Sequence, residues 1–212
     1  MKKSLILLTL LLVTLSGFSQ PRKYGKAMEK ALDNLAVASS PEELISSAAF
    51  FGDIAEKYPE LWLPAYYEAY CLISASFNTG EYLSKMECLD DAMKIVDRVR
   101  IIEPDESEVE ALDAFHALGM MAADPQSNGP IYLEDFTTCI GKAKKLNPEN
   151  PRPYYIDGLL KANLPDYMGG GAFAAKKEHE IAAQKYREFD NDDPFWPDWG
   201  ESLNQAQLDT IQ

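Results

Sequence analysis

Hydrophobic and small residues recur along this chain with the spacing of one face of an α-helix. Four such runs each end in a proline, and the prolines lie 45, 44 and 46 residues apart at Pro59, Pro104, Pro148 and Pro194. Fifteen, twelve, eight and five residues before each proline, the side chains are mostly apolar or small. These steps of three, four and three residues predict the same amphipathic helix four times. Its stripe comprises Leu44, Ser47, Phe51 and Ile54; Leu89, Ala92, Val96 and Val99; Leu133, Phe136, Ile140 and Ala143; and His179, Ala182, Tyr186 and Phe189.

A second helix is predicted in front of each proline-terminated one. Ten residues after the first three prolines lie the small residues Ala69, Ala114 and Gly158, each followed by a bulky side chain. A small residue in mid-helix lets a partner helix approach closely. Each unit therefore consists of a helix A, a loop and a helix B, and since no strand-like alternation of useful length occurs, the chain is predicted to be all-α. The A helices are expected at 24–38, 62–78, 106–123 and 152–163, and the B helices at 41–57, 81–102, 131–146 and 172–189.

Residues typical of helix starts and of turns occur at two of the predicted helix boundaries. Ser40 and Pro41 have the N-cap and first-turn proline of a helix start. The run Gly169–Gly171 raises the question of a phosphate-binding loop, but no strand precedes it and the Lys-Ser/Thr pair of such a loop is absent. The three glycines are therefore interpreted as a tight turn between helix A and helix B.

The small residue in helix A, the alanines Ala92 and Ala182 in helix B and the terminal proline together resemble a tetratricopeptide (TPR) repeat. This resemblance implies a right-handed α-solenoid of antiparallel hairpins, although the units are about ten residues longer than the usual 34. The units are 24–59, 60–104, 105–148 and 149–194. The stretch YMGGGAFAAKKEHEIAAQKY with the later PFWPDWG further resembles exported bacterial TPR-like proteins, some related to the T component of TRAP transporters.

A C-terminal cap is expected over residues 195–212. A terminal repeat leaves one face without a neighbour, and solenoids cover such faces. Asp198 and Glu201 have capping-box spacing, which predicts a short helix over 199–210. Trp196 and Trp199 are expected to cover the end of the stack.

The first residues have the pattern of an export signal. Lys2 and Lys3 precede an apolar stretch from Leu5 to Leu15, and small residues at Gly17 and Ser19 predict cleavage after residue 19. This stretch rises only about 16 Å as a helix, against a bilayer core of about 30 Å. No lipid-attachment cysteine follows the predicted cut. We therefore expect a signal peptide at 1–19, one domain at 20–212, no stable membrane insertion and a periplasmic or secreted location.

Charge and cysteine content narrow the function classes. A formal net charge of −14 repels phosphate backbones, so nucleic acid is not an expected partner. Cys71, Cys88 and Cys139 are too few for a disulfide framework. Cys71 and Cys88 lie eight and nine residues either side of Thr79 in a predicted hairpin, which leaves open whether they form a disulfide or two buried thiols.

No constellation of catalytic or metal-binding residues is recognised. His179 and Glu180 begin a zinc-protease pattern, but Ala183 stands where its second histidine is required. His116 lies on a packed helix without companions at ligand spacing. The acidic run 190–193 lacks the glycine and distal glutamate of an EF-hand. We expect a protein that is not an enzyme and has no cofactor.

The TPR-like resemblance implies that the A helices line a concave surface. The expected ligand- or peptide-binding positions are Leu63, Tyr66, Tyr70, Phe115, Arg152, Tyr155 and Leu159. Such an aromatic strip suits an extended peptide, an amphipathic helix or an apolar small molecule, and the same rings could instead pack against the next repeat. Two functions follow: a scaffold for a protein or peptide partner in the cell envelope, or a periplasmic small-molecule-binding component of transport. An open groove favours the first and an enclosed cleft the second.

Overall fold

The computed structural model describes residues 20–211, so the predicted signal peptide lies outside the described residues. Within that range the chain forms nine α-helices, one short 3₁₀ helix and no strand. The prediction of an all-α chain is confirmed. The α-helices are α1 Gln20–Val37, α2 Pro41–Lys57, α3 Trp62–Asn78, α4 Tyr82–Ile102, α5 Ser107–Ala123, α6 Gly129–Leu146, α7 Arg152–Asn163, α8 Ala172–Glu188 and α9 Glu201–Thr210, and the 3₁₀ helix is Asp166–Met168.

The helix boundaries lie within four residues of those predicted from the apolar stripe. Ser40 caps α2 through a reciprocal capping box with Glu43, which satisfies backbone donors that the first turn leaves free. The capping box expected for Asp198 and Glu201 is wrong, because the N-cap of α9 is Gly200 in a left-handed conformation without a side-chain cap.

Neighbouring helices pack as antiparallel pairs and bury the predicted stripe. Each helix contacts the next one in sequence, and α3 also packs against α5 and α5 against α7. The stripe residues Phe51, Leu89, Val96 and Val99 are fully buried, as the periodicity requires. The mid-helix glycine Gly158 also has the predicted role: a Cβ there would lie 2.6 Å from the ring of His179 in α8.

The three glycines between the 3₁₀ helix and α8 form the turn that leads into α8. Gly169 and Gly171 have φ of 82° and 89°, which favour glycine. The Gly171 amide donates to the carbonyl oxygens of Lys161 and Leu164, both at 2.9 Å. These bonds join the turn to the C-terminal end of α7, so the glycines serve the chain reversal.

The C-terminal segment folds back over the A helices. Helix α9 packs against α8, as a cap would. Trp196, however, contacts Trp62 of α3 with ring centroids 5.3 Å apart, and Trp199 stacks on Tyr70 of the same helix at 4.6 Å. The tryptophans therefore do more than cover the end of the last hairpin, as was expected of them. They cross to helices more than a hundred residues earlier in the chain.

The three thiols are free, and no disulfide joins Cys71 to Cys88. Cys71 packs in the main core, whereas Cys88 packs beside Leu44 and Ala75. Burial raises the pKa of both thiols. Separately, none of the helices within 20–211 is long and apolar enough to cross a membrane.

Candidate functional site

An apolar cleft lies on the face formed by the A helices α3, α5 and α7. Its volume is about 270 Å³. The C-terminal segment and α9 form one wall, and α2 contributes a single leucine. The lining residues are Leu44, Tyr70, Ser74, Phe77, Asn78, Phe115, Tyr155, Leu159, Trp199 and Leu203.

Four aromatic rings in this cleft lie nearly parallel. Trp199 stacks on Tyr70 with centroids 4.6 Å apart and on Phe115 at 5.6 Å, with interplanar angles of 25° and 26°. Phe115 in turn stacks on Phe77 at 5.1 Å and 25°. The rings form one aromatic stack, and Phe77, which pairs only with Phe115 among these rings and is 38% exposed, ends it where another flat π-system can be contacted.

A second cavity of about 470 Å³ adjoins the cleft. Phe77 and Leu159 line both spaces, so the two cavities adjoin at these side chains. The second cavity is bordered mainly by aliphatic side chains of α5 and α7, including Leu118, Met121 and Leu160. The second cavity alone lies within the range of about 300–1,000 Å³ typical of small-molecule sites, and the cleft falls just below it.

Hydrophobic side chains remain exposed at the cleft. Phe77 is 38% exposed and Leu203 is 51% exposed. Polar lining groups are few: Ser74 and Asn78 in the cleft, and Asn163 in the second cavity. A ligand would therefore gain most of its affinity by covering apolar surface.

The cleft brings together four of the seven residues expected to bind ligand. Tyr70, Phe115, Tyr155 and Leu159 line it side by side. Burial raises the pKa of Tyr155 to about 12 and raises that of Tyr70 as well. Both phenols are therefore neutral near pH 7 and available as hydrogen-bonding groups.

The other three residues lie outside the cleft. Leu63 is 5% exposed and packs in the main core. Tyr66 and Arg152 are 0% and 1% exposed, and both contact the buried carboxylate of Glu108. Arg152 lines a separate cavity of about 280 Å³ beside the C-terminal segment.

The buried polar group around Glu108 is a connected network. The Arg152 Nε donates to both Glu108 oxygens, at 2.8 and 2.7 Å. The Tyr66 hydroxyl donates to Glu108 Oε2 at 3.0 Å and accepts from the Trp199 indole at 2.9 Å. Burial acts to lower the pKa of Arg152, but the Glu108 carboxylate outweighs it and holds that pKa above its ordinary value. The guanidinium is thus charged and paired.

Sequence reasoning missed Phe77, Trp199 and Leu203 as lining residues. Phe77 lies at the last turn of α3, beyond the positions carried over from the repeat pattern. Trp199 and Leu203 belong to the C-terminal segment, whose path across the A helices has no counterpart in the repeat. The cluster of aromatic residues at 195–199 was the signal available.

Both histidines are buried away from the cleft. The His116 Nε2 lies 3.0 Å from the Leu89 carbonyl oxygen, and the His179 Nδ1 lies 2.7 Å from Asn204 Oδ1. Burial lowers the pKa of each ring. No group of three or more His, Cys, Asp or Glu side chains suited to a metal ion occurs in the described part of the chain.

Comparison with known proteins gives one informative similarity. No family model matches the sequence, tetratricopeptide or other, and no curated protein matches it. Among solved structures, the HusA haemophore from Porphyromonas gingivalis is similar, with a TM-score of 0.76 and 25% sequence identity. The similarity covers 87% of this chain and 90% of that chain. The chain therefore shares the all-helical fold of a haemophore over nearly its whole length.

Proposed function

We propose that this chain is an exported carrier that binds haem or a related tetrapyrrole in the aromatic cleft. The observation that carries the proposal is the set of near-parallel rings of Phe77, Phe115, Tyr70 and Trp199 along an apolar space. A tetrapyrrole is a flat, largely apolar π-system. Its face can stack on such rings while its apolar edge enters the adjoining aliphatic cavity.

The haemophore similarity supports this ligand class. The name of that protein states haem carriage, and its fold matches this chain at a TM-score of 0.76. The similarity alone would not place a ligand. The cleft on the A-helix face supplies a location with the chemistry that a flat apolar ligand requires.

The lining residues favour recognition of the macrocycle over recognition of the iron. Haem iron in proteins is commonly bound by His, Cys, Met or Tyr. Of these types, Tyr70, Tyr155 and Met121 line the two cavities. Burial raises the pKa of both tyrosines, which disfavours the phenolate that would bind iron well. Stacking and apolar burial therefore supply most of the affinity in this proposal.

A small ligand fits the face of the A helices better than an extended peptide does. The C-terminal segment crosses this face, and Trp199 occupies part of it by stacking on Tyr70 and Phe115. An extended peptide would have to displace that ring. We therefore favour small-molecule transport over a scaffold for a protein or peptide partner.

The remaining parts of the proposal concern architecture and location. The contacts of α3 with α5 and of α5 with α7 support stacking of the hairpins as a solenoid, and the right-handed twist is proposed from the TPR-like resemblance. The export signal in the sequence supports a periplasmic or secreted carrier. We propose that the chain acts by binding and release, without catalysis.

Titration of the purified mature chain with haem, followed by absorbance, tests the proposal. Phe77→Ala removes a ring that lines both cavities, and its partial exposure limits the cost to folding. We expect its dissociation constant to rise about tenfold, equivalent to about 1.4 kcal/mol of lost contact.

The matched control is Phe173→Ala, which removes a ring that is 87% exposed and lines neither cavity. This variant should bind as the wild type does. Equal affinity of the Phe77→Ala and wild-type proteins, or no saturable binding by the wild type, would overturn the proposal.

A further inference from the structure

Side chains of three helices form hydrogen bonds to the backbone of the segment Phe195–Gly200. The Tyr67 hydroxyl lies 3.2 Å from the carbonyl oxygens of both Phe195 and Trp196. The Arg152 guanidinium donates to the Pro197 carbonyl, and the Tyr186 hydroxyl donates to the Trp199 carbonyl at 3.2 Å. A stretch without regular secondary structure is thus held through donors on α3, α7 and α8.

The buried ion pair of Arg152 and Glu108 links this segment to the helices. The guanidinium bonds the carboxylate of Glu108 on one side and the backbone of the segment on the other. A second route runs from Glu108 through the Tyr66 hydroxyl to the indole nitrogen of Trp199. The guanidinium also lies 5.7 Å from the Trp199 ring, within the distance of a cation–π contact.

Stability alone does not account for a charge pair in this position. Apolar side chains of similar volume often replace a buried ion pair without loss of stability, because they avoid the cost of removing charges from water. A fully satisfied buried polar network instead fixes one arrangement of the groups it joins. In this protein the network joins Trp199, which lines the cleft, to the core.

We propose that Arg152 and Glu108 are positioning residues of the ligand site, which hold Trp199 in its place in the aromatic stack that lines the cleft. The inference rests on the proposed tetrapyrrole function and adds residues that line no part of the cleft. Without the pair, Trp199 loses its direct cation–π partner, and the segment loses the bond at Pro197. The Tyr66 hydroxyl that accepts from the Trp199 indole also loses its own acceptor at Glu108, so it is less firmly oriented. The ring would then sample other orientations, and a flat ligand would meet an incomplete wall.

The test compares a double variant with the wild type in two measurements. Arg152→Met/Glu108→Leu replaces both charges together, so neither is left buried without its partner. Hydrogen exchange of the amides of residues 195, 196 and 198–200 in the ligand-free protein reports whether the segment is held; Pro197 has no amide hydrogen. Titration with metal-free protoporphyrin IX reports whether the site is complete. We expect exchange in 195–200 to accelerate and the dissociation constant to rise, each about tenfold, while amides of α3 and α5 exchange as in the wild type.

Two further variants keep the test decisive. Tyr66→Phe removes only the hydroxyl between Glu108 and Trp199, and it should shift both measurements in the same direction by a smaller factor. It replaces the double variant if that protein fails to fold. Lys144→Met disrupts a different, partly buried ion cluster with Asp157 and Glu178, and it should change neither measurement.

The outcomes separate the two proposals. Wild-type exchange and wild-type affinity in a folded double variant would overturn the positioning role. Faster exchange of 195–200 with unchanged affinity would also overturn it, because the segment would then be held without consequence for the ligand. Absence of tetrapyrrole binding by the wild type would overturn the ligand class on which the inference rests, while the exchange result would still show whether the pair holds the segment.

Discussion

At the scale of single residues, the hydrogen bonds of Asn204 determine the tautomer of the neutral His179 ring. The Asn204 Nδ2 donates to the His179 carbonyl at 2.9 Å, so its Oδ1 faces the ring and accepts from Nδ1 at 2.7 Å. The proton is therefore on Nδ1. The Nε2 is buried and makes no hydrogen bond within residues 20–211. Protonation of Nε2 would bury a charge without an acceptor.

This arrangement predicts a loss of stability in acid. Burial lowers the pKa of His179 below 6.5, against opposing contributions from Asn204 and Glu178. The unfolded chain therefore takes up the proton more readily than the folded chain does. The stabilising contribution is complete above about pH 6.5 and is lost as pH falls from there through the folded-state pKa.

The measurement is the free energy of unfolding of the wild type and of His179→Gln at about pH 7.5 and about pH 5.5. The wild type should lose more stability between these conditions than the variant does. His116 is present in both proteins, so its own titration cancels in the comparison. An equal loss in both proteins would show that His179 does not titrate in this way.

Only some of the residues expected at the site could be placed correctly from the sequence. Tyr70, Phe115, Tyr155 and Leu159 could be predicted because they lie on the face of the A helices given by the repeat. Tyr66 and Arg152 share that spacing but bond Glu108, which is 42 and 44 residues away in the chain. Helical periodicity identifies faces, and it cannot pair a buried charge with its distant partner.

At the scale of helices, the apolar stripe determined most of the fold. The stripe residue Leu89 is fully buried in α4, and its side chain fills the space where a Cβ on Gly119 would otherwise lie. The units are about ten residues longer than a usual TPR repeat. The helices could still be predicted, since each helix buries its own stripe. The C-terminal segment has no such stripe, and its contacts with α3 and α5 depend on single aromatic and polar side chains.

Truncation of the stripe in α4 tests this packing. Leu89→Ala removes a fully buried side chain and should lower the free energy of unfolding by about 2–5 kcal/mol. Leu83→Ala on the same helix is the control, because Leu83 is 74% exposed and should change stability by less than about 0.5 kcal/mol. Chemical denaturation of the two variants gives both values. Similar losses would mean that the stripe does not mark the core.

At the scale of the whole molecule, four helical hairpins within residues 20–188 pack together, and the returning C-terminal segment forms one wall of the aromatic cleft. The hairpins could be predicted from the period of the prolines. This wall could not, because it depends on where residues 195–211 lie. The similarity to a haemophore extends over 87% of the chain, and the cleft gives that similarity a chemical interpretation.

Calorimetric titration of the mature wild-type chain with metal-free protoporphyrin IX is the measurement to make first. We expect one ligand per chain and a negative heat-capacity change, because the flat ring covers apolar surface in the cleft. Its dissociation constant should lie within about tenfold of that for haem, since stacking supplies most of the affinity. Binding of haem without binding of the metal-free ring would show that iron ligation dominates, and absence of binding by either would contradict the proposed carrier function.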